Sequence, residues 1–203
     1  VLSLVVRFGP AAALAWFDDP LTRWIHGMRT AWLTSLAVAD ARLFSQIGAI
    51  AITIVGALCL VARRQRWAGL WLVASVAITA GLTELSKALL QRPRPMDNRL
   101  AQFVDEPGLS FPSGHSQFAA VAAGCLVVSL LRVVTKRAQR VTLIVVGAGV
   151  VLMVMWSRVY LGVHYPSDTV GSVLLAATWI AATFPAMRWL STRVTDPEGT
   201  VEP

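Results

Sequence analysis

Residues 67–95 read WAGLWLVASVAITAGLTELSKALLQRPRP, and this stretch decides the fold class. Trp67 to Leu85 is an apolar run of the length that crosses a hydrocarbon core about 30 Å thick, which takes about 20 helical residues. The run ends in Lys87, Arg92 and Arg94, set among Leu85, Leu89, Leu90, Pro93 and Pro95. Fixed positive charge therefore stands where a hydrophobic segment meets the membrane surface.

The rest of the 203-residue chain has the same character. Hydrophobic residues make up 56% and charged residues 14%, with a mean hydropathy of +0.62, well outside the soluble globular norm. Further apolar runs lie at Leu43–Ala62, Ser113–Leu131, Val141–Tyr160 and Asp168–Met187, with a weaker one at Val1–Phe17 interrupted by Arg7 and Gly9-Pro10. No small-residue cleavage site precedes Trp16-Phe17, so this first segment reads as a span and not as a removed signal peptide. The pattern predicts an all-α integral membrane protein, a bundle of six transmembrane helices in one domain covering residues 1–190, with a polar, disordered tail at 191–203. Between the first two spans, Asp18–Arg42 alternates apolar and polar residues at helical spacing, which predicts a helix lying in the interface. His26 on that segment reads as a lone surface histidine.

A net charge of +7 does not point to a nucleic acid partner. The basic residues concentrate in short loops, at Arg63-Arg64-Gln65-Arg66, Arg132 to Arg140, and Arg188 with Arg193, which is the positive-inside signal of cytoplasmic loops. Asp18–Arg42, Lys87–Pro112 and Ser157–Ser167 then face outward. Cys59 and Cys125 sit inside apolar runs as small core residues, indicating neither a disulfide nor a metal.

The outward loops carry the chemistry. Lys87, Arg94 and Arg158 are three cations suited to an oxyanion with several terminal oxygens. Pro112-Ser113-Gly114-His115 reads as a helix start with Ser113 as N-cap, its free amides and dipole favouring an anion; Pro166 likewise marks the start of the last run. His164 and Asp168 are four residues apart, so the carboxylate can hold one ring nitrogen and leave the other as a nucleophile toward phosphorus. His115, from another helix, is placed to protonate the leaving oxygen. No cofactor or metal is expected, because the cations supply the charge that Mg²⁺ supplies elsewhere, and Asp97, Asp105 and Glu106 are too scattered to form a metal site. Taken singly each residue has a blander reading: Lys87 snorkelling to headgroups, Ser113 only capping, Asp168 only favouring a helix dipole. Glu84, near the end of a span, is expected to be buried and to pair with Lys87 one turn away. Tyr160 and Tyr165 read as interface anchors.

Lys87-x6-Arg94-Pro95, Pro112-Ser113-Gly114-His115 and Ser157-Arg158-x5-His164-x3-Asp168, in that order, resemble the three signature motifs of the type 2 phosphatidic acid phosphatase (PAP2) superfamily. Any one motif is weak; three in order on one membrane face are specific. The resemblance implies a six-helix membrane core, His164 as nucleophile, Asp168 as its orienting partner and His115 as acid. It also implies Lys87, Arg94, Ser113, Gly114 and Arg158 as phosphate-binding residues. The expected activity is hydrolysis of a lipid phosphate or diphosphate headgroup through a phosphohistidine. A polyprenyl diphosphate of cell-wall biogenesis ranks first, phosphatidylglycerol phosphate or phosphatidic acid next. A phosphotransferase using the same phosphohistidine, or a non-catalytic lipid-binding or transport protein, are the alternatives. Compact loops and arginine-rich composition point to a bacterial cell membrane, with the site on the extracytoplasmic side. No pattern in the sequence addresses the oligomeric state.

Overall fold

The computed structural model describes residues 12–95, 104 and 108–193. Among these there are seven helices: α1 (Ala12–Gly27), α2 (Ala31–Leu43), α3 (Gln46–Ala62), α4 (Arg66–Leu90), α5 (Gly114–Leu130), α6 (Arg137–Tyr160) and α7 (Pro166–Arg193). The expected spans from Leu43 onward correspond to α3 through α7. Among the described residues the count of six is not confirmed. Three helices, α4, α6 and α7, are each long and apolar enough to cross a membrane, and the bent pair α2–α3 makes a fourth if it is one span. The apolar helix α5 has 17 residues. Of the expected first span, only the part from Ala12 onward falls within the described residues, in α1. Helix α7 continues through Arg193; the rest of the expected tail, residues 194–203, lies outside the described residues.

The surface is apolar around the middle and polar groups are gathered inside one end, the inverse of a soluble protein. Ile47, Leu58, Leu70, Leu85, Val145, Leu152 and Leu174 are exposed, whereas Asp18, Asp40, Ser113, Arg158, His164 and Asp168 are buried. In lipid that arrangement removes charge from hydrocarbon while leaving the apolar belt in its own solvent. The core packs Leu60 of α3, Trp71 and Leu72 of α4, Val121 and Cys125 of α5, and Ala176 and Met187 of α7.

The predicted interfacial helix is two helices. They break at Met28–Thr30, where Thr30 caps α2 by accepting from the Leu33 amide. Their polar side chains turn inward onto α6. His26 Nε2 donates to the Val159 carbonyl at 2.9 Å, and Arg29 donates through Nε and Nη2 to the Tyr160 carbonyl at 3.1 and 2.9 Å. His26 is therefore a docking contact, and Tyr160 is a buried clasp whose hydroxyl takes the Thr30 amide at 3.0 Å. These bonds satisfy carbonyls at the end of α6 that have no partner within the helix. A 64° bend separates α2 from α3, and the Leu43 carbonyl lies so close to Gly48 that a Cβ there would sit 1.8 Å from its oxygen. Only glycine permits that approach.

The arginine-rich turns gather at one end, where Arg64, Arg66 and Arg132 share a cavity with Ser191 and Thr192. The groups of the three motifs gather at the other. The 25 residues of α4 separate the two ends by about 37 Å at the helical rise of 1.5 Å per residue.

Candidate active site

Each local fold that builds the site has a cause in the chain. Helix α4 stops at Gln91, which turns left-handed (φ 48°) and closes its amide on the Lys87 carbonyl. Pro93 and Pro95 then forbid helix, so the chain carrying Arg92 and Arg94 folds back over the helix end. Helix α5 starts where sequence reasoning placed it: Ser113, fully buried, is the N-cap and accepts from the Ser116 amide at 3.4 Å. At the end of α6 the chain reverses through Gly162 (φ 76°), a conformation that favours glycine, and delivers His164 just ahead of α7.

These segments converge. Lys87, Arg94, Gly114, His115 and His164 line one cavity of about 680 Å³. Ser113, Arg158 and Asp168 do not line it and are buried. Arg158, with no exposed surface, acts electrostatically on both His164 and Asp40, and Asp40 accepts a hydrogen bond from Ser157.

The geometry assigns the tautomer of His164. Arg94 Nη1 lies 3.0 Å from Nε2, and a guanidinium only donates. Nε2 is therefore the lone-pair nitrogen and the ring proton is on Nδ1, which faces Asp168 Oδ2 at 3.5 Å. Arg94 also donates to the Val163 carbonyl at 2.7 Å. Burial holds the His164 pKa below the ordinary histidine value; the hydrogen bond and charge of Asp168 oppose this, and Arg94 and Arg158 add to it. His115 Nε2 donates to the Ala41 carbonyl at 3.2 Å.

Five residues outside the motif positions complete the surroundings. Ser110 Oγ donates to Asp168 Oδ2 at 2.5 Å, and its amide bonds the Arg92 carbonyl at 2.8 Å. Arg92 donates through Nη1 to Asp168 Oδ1 at 2.5 Å and to Ser167 Oγ at 2.8 Å, and through Nη2 to Asp18 Oδ2 at 2.8 Å. Ser167 gives its amide and hydroxyl to Asp18 at 2.8 and 2.7 Å. The Arg92 guanidinium also lies over the ring of Tyr165, 4.2 Å from the centroid. The sequence signals for this group are Arg92, at the charged end of an apolar run, and Asp18, an acidic residue beside one.

The Glu84–Lys87 pair forms as expected, at 2.9 Å, but the Glu84 side chain is 72% exposed and not buried. It sits on the cavity rim. Among the described residues no three His, Cys, Asp or Glu side chains cluster as a metal site; Asp97, Asp105 and Glu106 lie outside the described residues.

Away from the charged end, the same cavity runs between α3 and α4. Its walls there include Ile50 and Ile54 on one side and Val73, Val76, Ala77 and Ala80 on the other. Ile50, Ile54 and Val73 are also exposed to the surroundings, so the groove opens sideways.

The family model for the PAP2 superfamily matches residues 68–192, more than half of the chain. The decaprenylphosphoryl-5-phosphoribose phosphatase of Mycobacterium tuberculosis is 36% identical over 137 residues, covering 65% of this chain and 67% of the relative. The undecaprenyl-diphosphatase of Sulfolobus acidocaldarius is 29% identical over 184 residues, covering 89% and 83%. Among solved structures, the transmembrane PAP2-type phosphatidylglycerolphosphate phosphatase of Bacillus subtilis superposes with a TM-score of 0.75 at 23% identity, covering 95% of this chain and 92% of that one; this likeness is one of fold.

Proposed function

We propose that this chain, which belongs to the PAP2 superfamily, is a metal-independent lipid phosphatase that works through a phosphohistidine on His164. The observation that carries the reading is a single cavity with two cations and two histidines at one end and an apolar, laterally open groove at the other. That shape suits a phosphorylated headgroup whose tail stays in the hydrocarbon.

In this reading Lys87, Arg94 and the amides at the start of α5 hold the phosphoryl oxygens, and the buried Arg158 adds positive charge beside His164. Arg94 moves from Nε2 of His164 to a phosphoryl oxygen as substrate enters, which uncovers the nucleophile. Nε2 attacks phosphorus, the bond to the leaving oxygen breaks, and His115 gives that oxygen its proton. Asp168 stabilises the cation that forms on His164. Water then attacks the phosphohistidine with His115 taking a proton, and inorganic phosphate leaves. Polyprenyl diphosphate ranks first, supported by the polyprenyl names of the mycobacterial and archaeal relatives. Phosphatidylglycerol phosphate and phosphatidic acid follow. The arginine-rich turns at the far end support a site on the extracytoplasmic face of a bacterial cell membrane.

The deciding experiment measures phosphate release by detergent-purified protein, in excess EDTA, from a polyprenyl diphosphate, phosphatidylglycerol phosphate, phosphatidic acid and a soluble aryl phosphate. Release that survives EDTA and is fastest from one lipid supports the reading and ranks the substrates. Binding without turnover, or release only when an acceptor lipid is added, replaces it by a transport or transferase role. The groove has its own test. Ala80→Trp should raise KM for the best lipid by roughly 10–100-fold, the scale of overpacking a site, while leaving the aryl phosphate unaffected. Equal effects on both substrates would remove the groove from the argument.

The lowered His164 pKa sets the acid side of the pH profile. The neutral ring is the reactive form, and burial disfavours its protonation. The acid limb of kcat/KM is therefore expected below the ordinary value of 6.5, with activity holding as pH falls through 6.5. A limb above that value would contradict a buried histidine as nucleophile.

A further inference from the structure

We propose that Arg92 and Asp18 form a positioning clamp that keeps Asp168 anionic and aimed at His164, an inference that rests on His164 being the nucleophile. Arg92 is not one of the motif cations; it lies between Lys87 and Arg94 in the chain and does not line the cavity that they share. Its two terminal nitrogens divide between two carboxylates, Nη1 on Asp168 and Nη2 on Asp18. The side chains of Arg92, Asp18 and Asp168 are 11%, 3% and 0% exposed, so these charges answer to one another and not to water.

The division of labour at Asp168 follows from its oxygens. Oδ2 faces His164, and also takes Ser110 Oγ and the Tyr165 amide. Oδ1 points away from the histidine and takes Arg92. Without that guanidinium, a fully buried carboxylate would face a neutral imidazole, and protonation would be its cheapest escape. A protonated Asp168 could no longer stabilise the positive charge that develops on His164 as the bond to phosphorus forms. Asp18 in turn holds Arg92 in place and accepts the Ser167 amide at the start of α7. Through this residue α1, remote from every motif, fastens the helix that bears Asp168.

Among the described residues, Arg92 and Arg94 after α4 and Arg158 of α6 act on the Asp168–His164 pair, and Tyr165 beside it meets Asp18 and Asp19 of α1. Lys87, Glu84 and His115 share the cavity with His164. Removing the Arg92 charge makes the pair take up a proton more readily, so the acid limb of kcat/KM moves to higher pH. Arg92→Met is expected to lower kcat by roughly 10–100-fold, as loss of an outer partner of a working histidine does, with little change in KM. Arg92→Lys keeps the charge but not the planar fork; its acid limb should stay at the wild-type position, with part of the rate restored. Asp18→Asn should lower kcat less than Arg92→Met and should not raise the limb.

The experiment is the kcat and KM pH profile of wild type, these three variants and His164→Ala on the best lipid phosphate, with monodispersity in detergent followed for each. If Arg92→Met does not fold, Arg92→Lys and Asp18→Asn carry the comparison. Wild-type kcat and an unmoved limb in Arg92→Met, or a loss that Arg92→Lys leaves unrelieved with no limb shift, overturns the clamp while His164→Ala stays inactive and the phosphatase reading stands. Full turnover by His164→Ala, or none by wild type, overturns both.

Discussion

His164→Ala releases no phosphate above background from any lipid, a loss of at least about 10³–10⁴-fold in kcat, the scale on which nucleophiles of covalent enzymes fail. The expectation rests on three features of the ring. Its Nε2 carries the lone pair because Arg94 donates to it, its Nδ1 proton faces a carboxylate, and burial keeps it neutral. No other described histidine offers the same set: His26 is spent on the Val159 carbonyl and His115 on the Ala41 carbonyl. Acid-labile, base-stable radiolabel on wild-type protein after a rapid quench would identify the phosphorus–nitrogen bond directly. His115→Ala should still acquire that label from an ester with a good leaving group, because such a group departs without a proton. Label on His164→Ala protein would end the assignment.

Asp168→Asn is expected to be almost as damaging, and to harm stability as well. Four donors converge on Asp168: Arg92 on Oδ1, and Ser110, the Tyr165 amide and His164 on Oδ2. An amide presents one oxygen and one NH₂, so whichever way Asn turns, its NH₂ meets a donor. Placed toward His164, the NH₂ favours the tautomer with the proton on Nε2 and removes the nucleophile. Placed toward Arg92, it leaves a buried guanidinium with part of its charge uncompensated. A loss of about 10⁴-fold in kcat is expected for a disabled histidine–carboxylate pair, with a stability loss of about 3–5 kcal/mol for a broken buried ion pair. Activity assays and thermal unfolding in detergent read the two effects separately. A variant with near-normal kcat would remove Asp168 from the chemistry.

The motif residues were legible because phosphoryl chemistry demands particular side chains at particular helix starts and ends. Ser113 caps α5, Pro166 opens α7 and Lys87 closes on Glu84 as the local pattern requires. Errors fell where a residue's fate depends on a distant segment. Asp18–Arg42 has the periodicity of an interfacial helix, yet His26, Arg29 and Asp40 turn onto α6. Periodicity tells which residues share a face and not what that face meets. Glu84 looked buried because it lies within an apolar run, whereas the rotation of α4 aims it at the cavity rim. The break between α2 and α3 falls beside the expected boundary at Leu43, but its 64° bend has no counterpart in the hydrophobic pattern.

By itself the sequence determined the membrane class, the positions of the later helices, and the residue types gathered in the proposed site at one end. Those follow from interactions within a turn or two of the chain: hydrophobic length, capping and proline breaks. Only the tertiary structure decided that Arg92, Asp18, Ser110 and Ser167 surround Asp168, because the bonded partners lie 58 to 149 residues apart. It likewise decided the protonation site of His164 and the groove between α3 and α4. A buried charge takes whichever counter-charge packing brings near, and packing is a property of the whole bundle.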